Sequence, residues 1–123
     1  MIKVKIIKEN KNIISFMIEN HALRDRDMIL AGDAYDMVCN SVSVLSQSVI
    51  IGLDEVQKLN CNYEMSDGYL KLDLNGFTQE EINEAQVLLK TFELSLESIM
   101  MSLESSFGKK SCDKYIRLIK EEV

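Results

Sequence analysis

The stretch IKVKIIKENKNIISFMIEN, residues 2–20, decides the fold that we predict for this chain. Its apolar side chains recur at every second position in two runs, which are Ile2, Val4 and Ile6 and then Ile14, Phe16 and Ile18. This period predicts two strands, each with one buried face. The polar run at 9–12 lies between them, so we expect the strands to form a hairpin that ends near Asn20.

The next part of the chain predicts a helix and a second hairpin. A helix is expected to begin between Asp33 and Asp36, either of which could cap it, and to end near Gly52. Its apolar face is formed by residues spaced three and four apart, which are Val38, Val42, Leu45 and Val49. Residues 61–65 and 69–74 are typical of two strands joined at Ser66-Asp67-Gly68.

A long second helix and a tail complete the predicted fold. Thr78-Gln79-Glu80-Glu81 has the pattern of a capping box. From Ile82 to Leu103 the apolar side chains alternate spacings of three and four, which predicts an amphipathic helix that stops at Gly108. Residues 112–123 are expected to form a short helix. The predicted fold is therefore α+β in the order ββαββα, with two main helices packed on a small sheet.

Length and composition predict a single domain over residues 1–123, in which residues 109–123 form a C-terminal tail. No apolar stretch approaches the roughly 20 residues that span a membrane, and the N-terminus lacks a signal-peptide pattern. We therefore expect a cytoplasmic protein without a membrane partner. The formal net charge of −6 disfavours direct binding to nucleic acid, which normally requires a basic face, and suits a basic partner.

The chain has three cysteines and one histidine. Cys39, Cys61 and Cys112 are widely spaced, so a metal site would need an unusual set of ligands, and we expect no metal and no other cofactor. Cys61 falls in a predicted strand and is expected to pack in the core. Cys112, in the polar tail, is expected to have no particular role.

His21 and Cys39 are the candidate catalytic residues. His21 follows the second predicted strand, and Cys39 is expected in the first or second turn of the first helix. The amides and dipole of a helix N-terminus favour a thiolate, and an imidazole can take the thiol proton. Ser43, four residues on, shares the helical face of Cys39. Asp36 could orient His21 or cap the helix, and the residues leave both roles open.

Two interpretations of this pair remain open from the spacing. In the first, Cys39 is the nucleophile of a cysteine hydrolase, His21 is its base, and backbone amides near Cys39 stabilise the oxyanion. In the second, Cys39 is a buried packing residue and His21 is an ordinary surface residue.

The sequence resembles the ribosomal-processing cysteine proteases of the Prp, or YsxB-like, family. The specific part of the resemblance is the His21-Ala22 pair together with Asp-x-Val-Cys-x-x-Val-Ser at residues 36–43. Further similarity lies at residues 50–53, at Asp67-Gly68 and at residues 84–89, and it extends from residue 1 to about residue 105.

The resemblance implies a homodimeric bacterial cysteine endopeptidase that removes the N-terminal extension of a large-subunit ribosomal protein. The substrate would be the ribosomal protein precursor. By this resemblance His21 and Cys39 match the catalytic pair, and Asp36 and Ser43 match positions around the cysteine. The chain departs from the family pattern at three places, which are Asn20 in place of glycine, Asn40 in place of a small residue, and a longer, more charged segment at residues 23–33.

Two other functions are compatible with the same fold. The alternative to the protease is a non-catalytic ribosome-assembly binding protein, and Asn20 with the altered segment at 23–33 would support it. A purely structural role is the third interpretation, in which the long helix serves dimerisation. Leu88, Leu94 and Met101 lie off the apolar stripe of that helix, so they are available to contact a partner chain.

Overall fold

The structure, a computed structural model, describes residues 1–20, 33–66 and 68–123, with the backbone alone at residues 20 and 33–37. His21 and the segment at 23–32 therefore lie outside the described residues. The elements, in chain order, are β1 (Ile2–Glu9), β2 (Asn12–Asn20), α1 (Asp33–Ile51), a π-helical turn (Gly52–Val56), β3 (Asn62–Ser66), β4 (Tyr69–Asp73), α2 (Gln79–Phe107), α3 (Lys109–Tyr115) and β5 (Ile116–Glu122).

The described strands form one five-stranded sheet in the order β3-β4-β2-β1-β5. The pairs β1–β2, β2–β4 and β3–β4 are antiparallel, whereas β1 and β5 are parallel. Helices α1 and α2 share one apolar core with the sheet. The predicted α+β class, both hairpins and both main helices are confirmed.

The C-terminal residues differ from the prediction. A helix is present only as far as Tyr115, and the following seven residues form the edge strand β5, in which Ile116 lies opposite Ile2. Ile116 is fully buried by this pairing, and Cys112 is buried just before it. The prediction of a helix is therefore wrong for residues 116–122, because β1 supplies a partner that local sequence does not reveal. Cys112 packs in the core.

An irregularity in the first hairpin changes which isoleucine reaches the core. The register of β1 against β2 shifts between Ile7 and Lys8, so the period of two is interrupted. Ile13 is consequently buried, whereas Ile14, which the alternation placed in the core, is half-buried. The side-chain amide of Gln86 on α2 accepts from the Ile13 amide at 2.7 Å and donates to the Ile13 carbonyl at 2.8 Å. Gln86 thereby satisfies the backbone that the shifted register exposes.

Helix α2 begins and ends as its sequence predicts. The Thr78 hydroxyl accepts from the Glu81 amide at 3.2 Å, and the Glu81 carboxylate accepts from the Thr78 amide at 2.9 Å, which is a complete capping box. Gly108 follows the last residue of the helix with φ of 84°. In the core, the rings of Phe16 and Phe92 lie 4.6 Å apart between centroids and hold α2 against β2.

A cluster of ion pairs ties α2 to β1 and β5. The carboxylate of Glu93, whose side chain is only 9% exposed, lies 2.8 Å from the Lys8 ammonium and 3.6 Å from that of Lys120. Lys120 also donates to Glu97. The hydrogen bond to Glu97 is the main reason why the pKa of Lys120 is raised above its ordinary value.

Candidate active site

A cleft of about 190 Å³ opens between α1 and the end of the sheet at which β1 begins and β2 ends. We call it the Cys39 cleft. Its base is apolar and consists of Ile2, Ile18, Val42 and Leu70. One wall is the face of α1 that carries Cys39 and Ser43, and the other is the end of the β3–β4 hairpin, with Met65, Ser66, Gly68 and Tyr69.

Cys39 lies in this cleft as a half-buried side chain, and it forms no disulfide. It is the seventh residue of α1 and so lies in the second turn, in agreement with the prediction of the first or second turn. The geometry differs from expectation in one respect. Only the first four amides of a helix lack an intrahelical partner, so the Cys39 amide lies inside the helix and is not available as an oxyanion donor. Donors for the oxyanion must be supplied by other groups in the cleft.

Ser43 is the predicted site residue that the structure places beside Cys39. Both line the cleft, one helical turn apart on α1. The side-chain amide of Gln47 donates to the Ser43 hydroxyl at 2.9 Å, and the Ser46 hydroxyl donates to the Ser43 carbonyl at 3.0 Å. Because its oxygen accepts from Gln47, the Ser43 hydroxyl keeps its own hydrogen for another acceptor.

Of the remaining two predicted residues, Asp36 is described by its backbone alone and His21 lies outside the described residues. β2 ends at Asn20, which pairs with Ile2 of the cleft base, and His21 is the next residue in the sequence. Asp36 is the fourth residue of α1, three residues before Cys39. The N-cap position precedes the first helical residue, so Asp36 does not occupy it. The catalytic pairing of His21 with Cys39 remains a prediction.

The other two cysteines are in environments that oppose ionisation. Burial, reinforced by a hydrogen bond to Asp54, raises the pKa of the Cys61 thiol to about 12. Burial also raises the pKa of Cys112, whose thiol donates to the Met100 carbonyl at 3.6 Å. Cys61 belongs to the apolar core, as predicted. Since the thiolate is the reactive form, neither residue suits a nucleophile.

The described residues contain neither a candidate metal site nor a helix that could span a membrane. Within these residues, no group of three or more histidine, cysteine, aspartate or glutamate side chains is placed to bind a metal ion. Among the described helices, none combines the length and the apolar character needed to cross a membrane.

Sequence analysis did not identify two parts of the cleft. Gln47 is one, although its spacing of four from Ser43 and eight from Cys39 places all three on one helical face. The other is the wall formed by Met65 and Tyr69, which depends on the pairing of β4 with β2 in the sheet. No local pattern indicates that wall.

The comparison with protein families identifies the class. The sequence model of the family described as Cysteine protease Prp matches residues 1–108, which is most of the chain. The protein is therefore a cysteine protease. It belongs to the Prp family.

Solved structures agree with this fold. A protein described as SMU.848 from Streptococcus mutans superimposes with a TM-score of 0.73 at 22% identity, covering 100% of this chain and 96% of that one. The ribosomal processing protease Prp from S. aureus, solved with a substrate peptide, gives a TM-score of 0.73 at 18% identity and covers 98% and 100%. Its complex with a covalently linked product peptide gives 0.69 at 18% identity, again covering 98% and 100%. The comparison with curated proteins gave no match.

Proposed function

We propose that this protein is a cytoplasmic endopeptidase in which Cys39 and His21 form the catalytic dyad, and that it removes the N-terminal extension of a large-subunit ribosomal protein. The observation that carries the proposal is the position of Cys39, which lines the Cys39 cleft, whereas Cys61 and Cys112 are buried in the core. The similar S. aureus enzyme is described as a ribosomal processing protease, which supports the class of substrate.

The proposed chemistry is a nucleophilic displacement in two steps. His21 takes the proton of the Cys39 thiol, and the sulfur bonds to the scissile carbonyl carbon. The carbon–nitrogen bond then breaks as histidinium gives its proton to the leaving amine. In the second step His21 takes a proton from water, the hydroxide attacks the thioester, and the Cys39 thiolate leaves and regains a proton.

Two side chains support this dyad in the proposal. Ser43 donates its hydroxyl hydrogen toward the reacting centre and takes the place of the backbone amide of Cys39, which is not available. It can do so because its oxygen accepts from the side-chain amide of Gln47. Asp36 orients His21, since its position in the fourth residue of α1 is not that of a cap.

The net charge of −6 fits the proposed substrate, because ribosomal proteins are basic. Neither nucleic acid nor a membrane takes part in the proposed reaction. The precursor is recognised as a protein.

We also propose that the protein is a homodimer formed through α2. Val87, Leu94 and Met101 recur every seven residues along that helix and are 71%, 62% and 70% exposed, so they form an apolar stripe on its surface. Leu88, which the sequence predicts to be available to a partner chain together with Leu94 and Met101, is instead half-buried against the core. Light scattering should give a dimer for the wild type and a monomer for Leu94→Glu/Met101→Glu. A dimer in both proteins would refute an interface at this stripe.

The dyad is tested by the pH dependence of Cys39 alkylation, with the site identified by mass spectrometry. Iodoacetamide should modify Cys39 well before Cys61 or Cys112 in the folded protein, since burial raises the pKa of both other thiols. In His21→Ala the midpoint of the Cys39 rate profile should move to higher pH. A control in urea should show all three thiols reacting at similar rates.

Cleavage supplies the second measurement. The wild type should cut a peptide that copies the ribosomal-protein extension and its junction, whereas Cys39→Ser and His21→Ala should bind this peptide without cutting it. Ser48→Ala, an exposed change on the same helix outside the cleft, is the matched control and should cut normally. Full activity in Cys39→Ser would exclude the protease mechanism and favour the non-catalytic binding protein.

A further inference from the structure

Strand β3 is the terminal strand of the described sheet on the side of the Cys39 cleft. β4 is its one neighbour among the described strands, and all five of its residues are exposed. A terminal strand has a row of backbone amides and carbonyls that can pair with another extended chain. β3 therefore has the chemistry of a docking edge for a peptide.

The two terminal strands of the sheet differ in how well they are protected from such pairing. β5 has four charged side chains among its seven residues, which are Arg117, Lys120, Glu121 and Glu122. Charged side chains are a common protection of sheet edges. β3 has one, Glu64, and no lysine or proline. The edge nearest the cleft is the one without this protection.

The register of the hairpin identifies the backbone groups that face outward. Ser66 and Tyr69, three apart in the sequence, are the last pair of the β3–β4 ladder. Residues at this spacing that close a hairpin form a hydrogen-bonded pair. Hydrogen-bonded and non-hydrogen-bonded pairs alternate along an antiparallel ladder. Glu64 therefore also pairs inward, while the amides and carbonyls of Tyr63 and Met65 point away from β4.

The outward-facing end of this edge leads into the site. Met65 and Ser66 at the end of β3 are part of the wall of the Cys39 cleft, whose base is apolar. Met65 is 56% exposed, so it is accessible to a bound peptide. A peptide that runs along β3 in extended form would therefore pass the two residues of β3 that form this wall.

We infer that the substrate binds as an added sixth strand on β3, pairing with the main chain of Tyr63 and Met65 before its scissile bond enters the Cys39 cleft. This inference rests on the proposed function, since it names how the peptide is held. Main-chain pairing recognises an extended, unfolded segment and depends little on its side chains. The N-terminal extension of a precursor has this character when it is not yet folded.

A scan of single N-methylated amides along the peptide tests the inference directly. The probe is the synthetic peptide that copies the ribosomal-protein extension and its junction, and its affinity is measured by fluorescence anisotropy on Cys39→Ser. A strand pairs with its neighbour through alternate residues. Methylation at every second position on one side of the junction should weaken binding about 5- to 10-fold, and methylation between them should have little effect. Loss without this period of two would overturn the inference.

Substitutions on the protein provide the second arm. Met65→Pro removes an outward-facing amide without removing a bond to β4, and proline is tolerated at such positions of edge strands. It should raise KM for the peptide about 10-fold, whereas Met65→Leu, which keeps the amide and an apolar side chain, should not. Equal effects of both variants would show that the side chain, and not the backbone, binds the substrate.

The outcome is separable from that of the proposed function. Alkylation of Cys39 by iodoacetamide in the wild type tests the dyad without any peptide, because the small reagent needs no strand. If Met65→Pro proves unfolded by circular dichroism, the peptide scan decides alone. If the wild type cuts the peptide but the effect of methylation shows no period of two, the protease function stands and the added strand is refuted. A wild type that neither binds nor cuts it refutes both.

Discussion

Asp54 accepts two hydrogen bonds from Cys61, one from its amide at 2.9 Å and one from its thiol at 3.1 Å. Asp54 lies in the π-helical turn and Cys61 directly precedes β3, so this pair fastens the end of α1 to the start of the hairpin that forms a wall of the cleft. Burial is the main reason why the pKa of Cys61 is raised, and the hydrogen bond to Asp54 comes second.

The raised pKa of Cys61 predicts a loss of stability at alkaline pH. In the unfolded chain the thiol loses its proton near pH 9.0, whereas in the folded protein it keeps it up to about pH 12. Between these values the unfolded state binds fewer protons, so the free energy of unfolding falls as pH rises. The stability advantage of the wild type over Cys61→Ala should shrink by about 1 kcal/mol per pH unit above pH 9.0.

Urea unfolding at a series of pH values measures this effect. Leu59→Ala is the matched control, because it also removes a buried side chain near the start of β3 but no titrating group. The difference between the wild type and Leu59→Ala should not depend on pH. A Cys61→Ala difference that is equally flat would contradict the raised pKa.

The hydrogen bond from Gln47 to Ser43 predicts opposite effects for two substitutions of Gln47. Glu at this position accepts from the Ser43 hydroxyl and turns its hydrogen away from the cleft, so Gln47→Glu should lower kcat about 10-fold or more. Gln47→Lys keeps a donor to the same oxygen and should retain most of the activity. Peptide cleavage by both variants is the measurement.

Gln47→Glu and Gln47→Lys also introduce charges, and the direct effect of these charges is measured by making both changes in the Ser43→Ala background. If Gln47 acts through Ser43, the two variants should be nearly equal in that background. A persistent difference would mean that the charge acts on the site directly.

The close approach of Gly52 to Leu88 predicts that substitutions at these two residues are sterically coupled. A Cβ at this position would lie 2.6 Å from Cδ1 of Leu88, which is closer than carbon atoms can approach. Gly52→Ala should therefore cost about 1–3 kcal/mol of stability, because the half-buried Leu88 must move. In Leu88→Ala the same change should cost much less, as measured by urea unfolding in a double-mutant cycle.

Gly76→Ala supplies the comparison for this cycle. Gly76 has φ of 85° and no heavy atom within 4 Å of the position of a Cβ, so alanine there is strained by its backbone alone. Its cost should be the same in the wild type and in the Leu88→Ala background. Equal coupling at both glycines would exclude the proposed contact.

Gln86 is predicted to contribute more to the stability of the protein than a surface glutamine does. Gln86→Leu leaves the buried amide and carbonyl of Ile13 without the partners that Gln86 provides, and it should cost about 2–4 kcal/mol. Gln79→Leu, which removes an exposed hydrogen bond to Asn83 on the same helix, should change stability by less than about 0.5 kcal/mol. Urea unfolding of both variants tests this, and similar costs would show that Gln86 has no special role at the register shift.

Local sequence patterns predict those described elements whose residues interact mainly with their neighbours in the sequence. The capping box at Thr78 and the alternation in residues 2–6 involve neighbours in the sequence, and both are confirmed. β5 is different, because the run from Ile116 to Glu122 is charged and short, and only pairing with β1 makes it a strand. The burial of Ile13 in place of Ile14 likewise depends on a register that two strands decide together.

In the candidate site, too, the local features are predicted from the sequence and the tertiary features are not. The placement of Cys39 and Ser43 on one face of α1 follows from a spacing of four, and the structure confirms it. The unavailability of the Cys39 amide depends on where the helix begins, and sequence patterns locate a helix boundary only within a few residues. The hairpin wall at Met65 is a tertiary feature. His21 is predicted from sequence alone.

The parallel pairing of β1 with β5 has a consequence for the order of events during folding. Ile2 and Ile116 pair although they are 114 residues apart in the sequence, so this pairing closes a long loop, which is a slow step. Ile2 lies in the base of the Cys39 cleft and gains its β5 neighbour, Ile116, only at that step. We therefore expect the base of the Cys39 cleft to be completed late in folding, when β5 joins the sheet beside β1.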